Sequence, residues 1–351
     1  MTVHLVSASE AIAQLQAFDT LIDARSEAEF AEDHLPGAVN WPTLDNEERK
    51  EIGTLYKQVN PFEARKRGAA MAARNIARHI ERDAIDKPRE WKPLAYCWRG
   101  GKRSGSLALI LDQIGFRTSL IEGGYKAFRA AVVADIPARV APLDLRVICG
   151  RTGAGKTRLL QALQAEGAQV IDLEALAQHR SSVLGAIPGV AQPTQKRFDT
   201  LVWDALRQLD PARPVFIESE SKKVGNVFVP DSLVQKMRQS PCLNLELPMP
   251  QRVALLLEEY DYLARHPDLF CSRLDVLTEL RGHAVITAWK AKVRAGDLHS
   301  VVQDLLVEHY DPVYIASMQR NFTQYDLATP LEPANHSLQA MGALARQMLA
   351  S

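Results

Sequence analysis

The stretch RVICGRTGAGKT, residues 146–157, dictates the architecture of half the chain. Gly150, Gly155, Lys156 and Thr157 satisfy the spacing G-x-x-x-x-G-K-[ST], and the apolar run before them reads as a strand. A loop of this kind joins a strand to a helix. Arg151, Thr152, Gly153 and Ala154 turn their backbone N–H groups toward a phosphate, Lys156 reaches its outer oxygens, and Thr157 offers a hydroxyl to a magnesium ion. AQVIDLE and PVFIESES supply further strands with helical stretches between, so a doubly wound α/β domain with a parallel sheet is expected. Triphosphate hydrolysis also needs an acid at the end of a neighbouring strand, and Glu218 and Glu220 stand there as candidates for a magnesium or polar role, or as exposed strand-end charges. A diphosphate ester would use the same cradle with no such cleavage. The motif thus identifies a phosphate and not ATP.

A second anion loop precedes it. YCWRGGKRS, residues 96–104, lies between the apolar run PLAY and a helical pattern with Leu107, Ile110, Leu111 and Ile114 on one side. Cys97 begins this loop; Trp98, Arg99, Gly100, Gly101, Lys102, Arg103 and Ser104 complete it. A thiol at a helix start beside three cations is expected to fall from ~8.5 into the range of ~3.5–7.5, which makes Cys97 the candidate nucleophile. Two chemistries fit: sulfur or selenium transfer, and phosphate-ester cleavage through phosphocysteine, because Cys97 to Arg103 also reads C-x5-R followed by Ser104. Trp98 is a candidate either to stack on a base or to pack the loop wall.

The chain has 351 residues, enough for two domains, and its 42 basic and 42 acidic residues balance, so a nucleic-acid partner must be held by local patches. One such patch is RKRGAAMAARNIARHIER, where Arg65, Lys66, Arg67, Arg74, Arg78 and Arg82 are candidate contacts to a nucleic-acid backbone or a solvated basic face; Lys222 and Lys223 carry the same two readings. Asp23 and Arg25 read as an ion pair bracing a strand end, and His179 with Arg180 as a candidate diphosphate or RNA contact. The four cysteines have no CxxC spacing, and no apolar run reaches the ~20 residues needed to span a bilayer, so a soluble cytoplasmic protein with no certain metal site is expected. A first domain over residues 1–135, a proline-rich linker at 136–144 and a second domain over 145–351 follow, with a helical region from about 251 to 351.

The segments around the first loop carry a resemblance. LIDARSEAEFAEDHLPGAVNWP and IEGGYKAFR are similar to the two signature motifs of rhodanese domains, although rhodanese loops more often run Cys-x4-Arg. The extra residue is expected to make room for an anion such as selenophosphate. With GRTGAGKT, VIDLEALAQHRSSVLG, QPTQKRFD, IESESKKVG and YDPVY, nearly the whole chain resembles the tRNA 2-selenouridine synthase family. That resemblance implies an α/β protein: an N-terminal rhodanese-like parallel-sheet domain, then a P-loop NTPase-like domain with a helical C-terminal extension. It implies conversion of wobble 2-thiouridine to 2-selenouridine in tRNA, by S-geranylation from geranyl diphosphate and then selenation from selenophosphate. Cys97 would serve the selenium step, as perselenide carrier or as nucleophile assisting exchange, and the Gly150–Thr157 loop would hold the diphosphate. No tightly bound cofactor is expected. The alternatives are a C-x5-R cysteine phosphatase or sulfurtransferase with a regulatory nucleotide-binding domain, and a nucleotide-gated binding module.

Overall fold

The structure is a computed structural model that describes residues 3–182 and 184–350. The chain separates into two compact units, Met1–Ile136 with Pro193–Asp204, and Pro137–Gln192 with Ala205–Ser351.

The first unit is built on five parallel strands, β1 (His4–Val6), β2 (Thr20–Asp23), β3 (Val39–Asn40), β4 (Pro93–Tyr96) and β5 (Ser119–Ile121), in the order β1-β5-β4-β2-β3. All four residues of β4 are buried, as an inner strand covered on both faces requires. The Cys97 loop therefore springs from an inner strand and feeds the Lys102–Ile114 helix, whose buried Leu107, Ala108 and Leu111 face the sheet. Two helices, Asn46–Gln58 and Pro61–His79, are inserted between β3 and β4; Asn60 caps the second by accepting from the N–H groups of Phe62 and Glu63.

The expected linker at 136–144 is not one. The Gly124–Val140 helix runs through Pro137, because Phe128, Val132, Ile136 and Val140 recur every fourth residue and are all buried. The domain boundary also needs a second correction. Pro193–Asp204, expected within the second domain, belongs to the first unit: Thr194 Oγ1 donates to the Glu32 carbonyl (2.7 Å), Lys196 pairs with Glu32 (2.7 Å), and Thr200 Oγ1 donates to Asp33 (3.0 Å).

The second unit holds β6 (Leu145–Cys149), β7 (Gln169–Ile171), β8 (Val215–Glu218), a short hairpin of β9 (Lys223–Val224) and β10 (Val227–Phe228), then β11 (Cys242–Leu245) and β12 (Thr329–Leu331). The main sheet is parallel in the order β12-β11-β6-β8-β7, which puts the strand carrying the phosphate loop at its centre and β8 beside it. The C-terminal region is helical in the main, but not only a cap. Thr329–Leu331 returns to pair with β11, and the Leu338–Ala350 helix packs Met341, Leu344 and Ala345 on Leu159, Leu160 and Leu163 of the helix after the phosphate loop. The long helices expected there are also segmented: Met249–Glu259 stops at Tyr260, and Leu298–Asp304 passes through a wide turn, Leu305–Tyr310, into Asp311–Asn321. Among the described residues no helix is long and apolar enough to cross a membrane.

Candidate functional site

The first loop is held from behind by a glycine turn. The N–H groups of Tyr125 and Lys126, at the start of the Gly124–Val140 helix, donate to the carbonyls of Cys97 (2.8 Å) and Trp98 (3.1 Å). Gly124 has φ +58°, and a Cβ there would overlap the Cys97 carbonyl oxygen and the Gly100 nitrogen. Cys97 itself forms the floor. Only 3 % of it is exposed, in contrast to the accessible nucleophile that the sequence led us to expect, because it continues the buried run of β4; its thiol faces the Gly101 carbonyl at 3.8 Å. Arg99 and Lys102 are exposed, and Arg103 is taken by Glu29 (2.6 and 3.3 Å). Although burial works the other way, Arg103 and Arg49 hold the Glu29 carboxyl below the usual range. One of the three expected cations is thus already neutralised. The Ser104 hydroxyl is fully buried with no partner among the described residues. Trp98 stacks on Tyr125 with ring centres 5.5 Å apart, which makes it part of the loop wall.

Asp23 and Arg25 form a buried bidentate pair, and Arg25 also donates to the Asp33 carbonyl (2.6 Å) and lies over the Tyr125 ring (3.9 Å). They brace the strand end beneath the loop.

The second loop lines a cleft of about 1060 Å³ within the second unit. Gly155 has φ +89° as it opens the Lys156–Ala165 helix, and a Cβ there would meet Met341 Cε at 2.7 Å. Lys156 Nζ donates to the Gly150 carbonyl (2.9 Å), and the Gly150 N–H donates to the Tyr314 hydroxyl (2.6 Å). A buried pair fixes the other side: Arg252 donates to both Asp311 oxygens (2.9 and 2.5 Å) and to the Thr152 carbonyl (2.9 Å), while Arg151 sits 3.8 Å from Asp311. Opposite Lys156, Glu174, Glu218 and Glu220 each bring a carboxylate oxygen within 4.8 Å of the others. Thr157 Oγ1 donates to Glu174 (3.3 Å), Glu218 accepts from the Glu174 N–H (2.9 Å), and Ser181 donates to Glu220. Glu218 is fully buried, and its Oε2 has no partner among the described residues. Burial, reinforced by Glu220, pushes Glu174 up to about 8; burial raises Glu218, Glu220 and Asp172 as well.

Residues 143–275 match the family described as the tRNA 2-selenouridine synthase AAA domain, and residues 7–131 match the rhodanese-like domain. The tRNA 2-selenouridine synthase of Alcanivorax borkumensis is 32 % identical over 332 residues, 86 % of this chain and 90 % of that protein. The chain belongs to the tRNA 2-selenouridine synthase family. The namesake proteins of Marinobacter nauticus and Nitrosomonas europaea are 30 % and 37 % identical; the matches span 84 % and 68 % of this chain, and 87 % and 63 % of theirs.

The other residues singled out from the sequence fall into three places. Arg65, Lys66, Arg67, Arg74 and Arg78 are all exposed on the Pro61–His79 helix, with Lys66 paired to Glu63 (2.6 Å). Arg82 just beyond pairs with Asp83 (2.6 Å); Lys222 pairs with Asp231 (2.8 Å), and Lys223 lies over Phe228 (5.8 Å). His179 and Arg180 line the cleft, where Arg180 donates to the Glu259 carbonyl (2.6 Å) and covers the Tyr260 ring (4.6 Å).

Sequence reasoning missed Asp172 and Glu174 as members of the carboxylate group. The signal was present, since AQVIDLE ends on two acids just as PVFIESES does. Tyr314, Arg252 and Asp311 reach the loop from more than 90 positions away; Asp311 and Tyr314 lie in YDPVY, one of the segments of the resemblance, and only Arg252 has no local pattern to mark it.

Proposed function

We propose that this chain converts 2-thiouridine at the wobble position of tRNA into 2-selenouridine, first by S-geranylation with geranyl diphosphate and then by selenation with selenophosphate. The observation that carries this reading is two unlike anion loops in one member of this family, one floored by Cys97 and the other ending in Lys156 and Thr157.

In the first step the sulfur of the base attacks the allylic carbon of the donor, and the carbon–oxygen bond breaks with its electron pair leaving on diphosphate. Lys156 and the loop N–H groups stabilise that growing charge. Lys156 exchanges a neutral carbonyl for a phosphate, and the Gly150 N–H exchanges the Tyr314 hydroxyl for one. A magnesium ion would be held by Glu174, Glu218 and Glu220 beside Thr157; the unpartnered Glu218 oxygen and the raised carboxyls fit a cation there. Such an ion supplies charge neutralisation for the leaving diphosphate.

In the second step Cys97 acts as a nucleophile. A perselenide on Cys97 would require a two-electron oxidation that neither substrate supplies. A redox-neutral exchange does not: the thiolate displaces geranylthiolate at C2 of the base, selenium of selenophosphate displaces Cys97, and water takes the phosphoryl group as phosphate. Because Cys97 is the floor of its loop, this step requires the loop to open for the base to reach the thiol. The exposed cations of the Pro61–His79 helix support a contact with the tRNA backbone. A tRNA substrate and four unpaired cysteines suit a reducing cytoplasm.

The test uses tRNA bearing wobble 2-thiouridine, incubated with the purified chain, geranyl diphosphate and selenophosphate, and analysed by nucleoside mass spectrometry. Appearance of 2-selenouridine that needs both small substrates is expected; unchanged 2-thiouridine would contradict the reading.

A further inference from the structure

Beside the phosphate cleft lies a second void. It occupies about 60 Å³ between the Met249–Glu259, Asp261–Ala264, Pro267–Leu274 and Leu298–Asp304 helices, and both are in the second unit. Its interior is hydrocarbon: Leu257, Ala264, Phe270, Leu298, Val302 and Leu305. Its other walls include Thr152, Ser182, Leu256, Tyr260 and Tyr310, and these five also line the cleft. The two spaces therefore adjoin across a neck of shared wall residues, one of which is Thr152 of the phosphate loop itself. Arg252 fixes the Thr152 carbonyl, so the neck keeps its position relative to the cradle.

Packed interiors rarely keep voids larger than a water molecule, and an apolar one stays dry until an apolar occupant fills it. A nucleobase is a poor occupant. Each ring nitrogen or carbonyl carried into a space walled by leucine, valine and phenylalanine would lose its hydrogen bonds, at roughly tenfold or more in affinity per group. A branched hydrocarbon loses none. The size is informative as well: about 60 Å³ gives room for roughly four water molecules, which is about the room of one five-carbon isoprene unit.

We propose that this chamber is the tail site of the diphosphate ester and that it measures the length of the tail. The distal isoprene unit lies in the chamber, and the proximal unit lies in the neck between Leu256 and the rings of Tyr260 and Tyr310. The diphosphate then rests on residues 150–157. This assignment rests on the prenyl-donor reading given above and adds to it the residues that hold the tail and a limit of two units.

The experiment measures equilibrium binding of inorganic diphosphate and of dimethylallyl, geranyl and farnesyl diphosphates to the full chain, in wild type and in Ala264→Phe and Val302→Phe. Both positions are only partly buried, so a larger side chain fills the void without removing core. Geranyl diphosphate is expected to bind roughly 10- to 100-fold tighter than inorganic diphosphate, farnesyl diphosphate no tighter than geranyl, and dimethylallyl diphosphate in between. In each variant the advantage of geranyl over inorganic diphosphate collapses toward unity, and retained binding of inorganic diphosphate reports an intact fold. An advantage that survives in both variants overturns the chamber while leaving the prenyl-donor reading standing. A tenfold gain on going from geranyl to farnesyl overturns the two-unit limit. No advantage in wild type overturns the prenyl-donor reading together with the chamber.

Discussion

At the proposed phosphate site, Glu174 carries the clearest dependence on protons. Its folded-state pKa, about 8, lies above the 4.5 of an ordinary glutamate, so the folded chain keeps a proton that the unfolded chain has released. The contribution of this group to stability is fully present below pH 4.5 and is lost as the pH climbs through 8. Glu218, Glu220 and Asp172 are shifted the same way and add to the slope. A divalent ion between the carboxylates opposes it, because the ion binds the deprotonated form and releases protons. With chelator present, the Tm is expected to fall by a few degrees between about pH 5.5 and about pH 8.5, and magnesium to restore most of the loss. Glu174→Gln should shallow both effects. Scanning calorimetry decides: a variant with the wild-type slope, or a wild type indifferent to magnesium at the upper pH, would remove Glu174 from the site.

At the scale of elements, each anion loop is a strand end made specific by something distant in sequence. The Cys97 loop depends on the Gly123–Gly124 turn that leads out of β5, where a side chain at Gly124 would strike the loop's own backbone. Gly124→Ala is therefore expected to lower selenium transfer by a hundredfold or more while geranylation, served by the other loop, stays within a few-fold. Rates of the two partial reactions check this; equal losses would mean that the turn serves the fold as a whole. Such dependences show what a sequence conceals. The strand–loop–helix units around Cys97 and Gly150 were legible, because glycine spacing and apolar runs are local. The helix through 136–140 was hidden because Pro137 and Arg139 interrupt the apolar pattern of Phe128, Val132, Ile136 and Val140, which are buried. β12 was hidden because Thr329–Leu331 is too short to alternate, and its place depends on pairing with β11. The burial of Cys97 and the capture of Arg103 by Glu29 were likewise invisible, since a run of cations looks the same whether its partner is solvent or a carboxylate 74 positions away.

Across the whole molecule, the proposed function assigns the departure of diphosphate to the second unit and the exchange of sulfur for selenium to the first. Each unit has its own sheet and its own candidate anion loop. The claim reduces to the independence of two steps, and a crossed single-turnover assay tests it most directly. Cys97→Ser is expected to turn 2-thiouridine tRNA into the S-geranyl form and stop there. Lys156→Ala should lose geranylation by roughly 100- to 1000-fold, yet convert tRNA already carrying S-geranyl-2-thiouridine to 2-selenouridine at a near wild-type rate. If Lys156→Ala fails equally on the pre-geranylated tRNA, or Cys97→Ser delivers 2-selenouridine, the division does not exist.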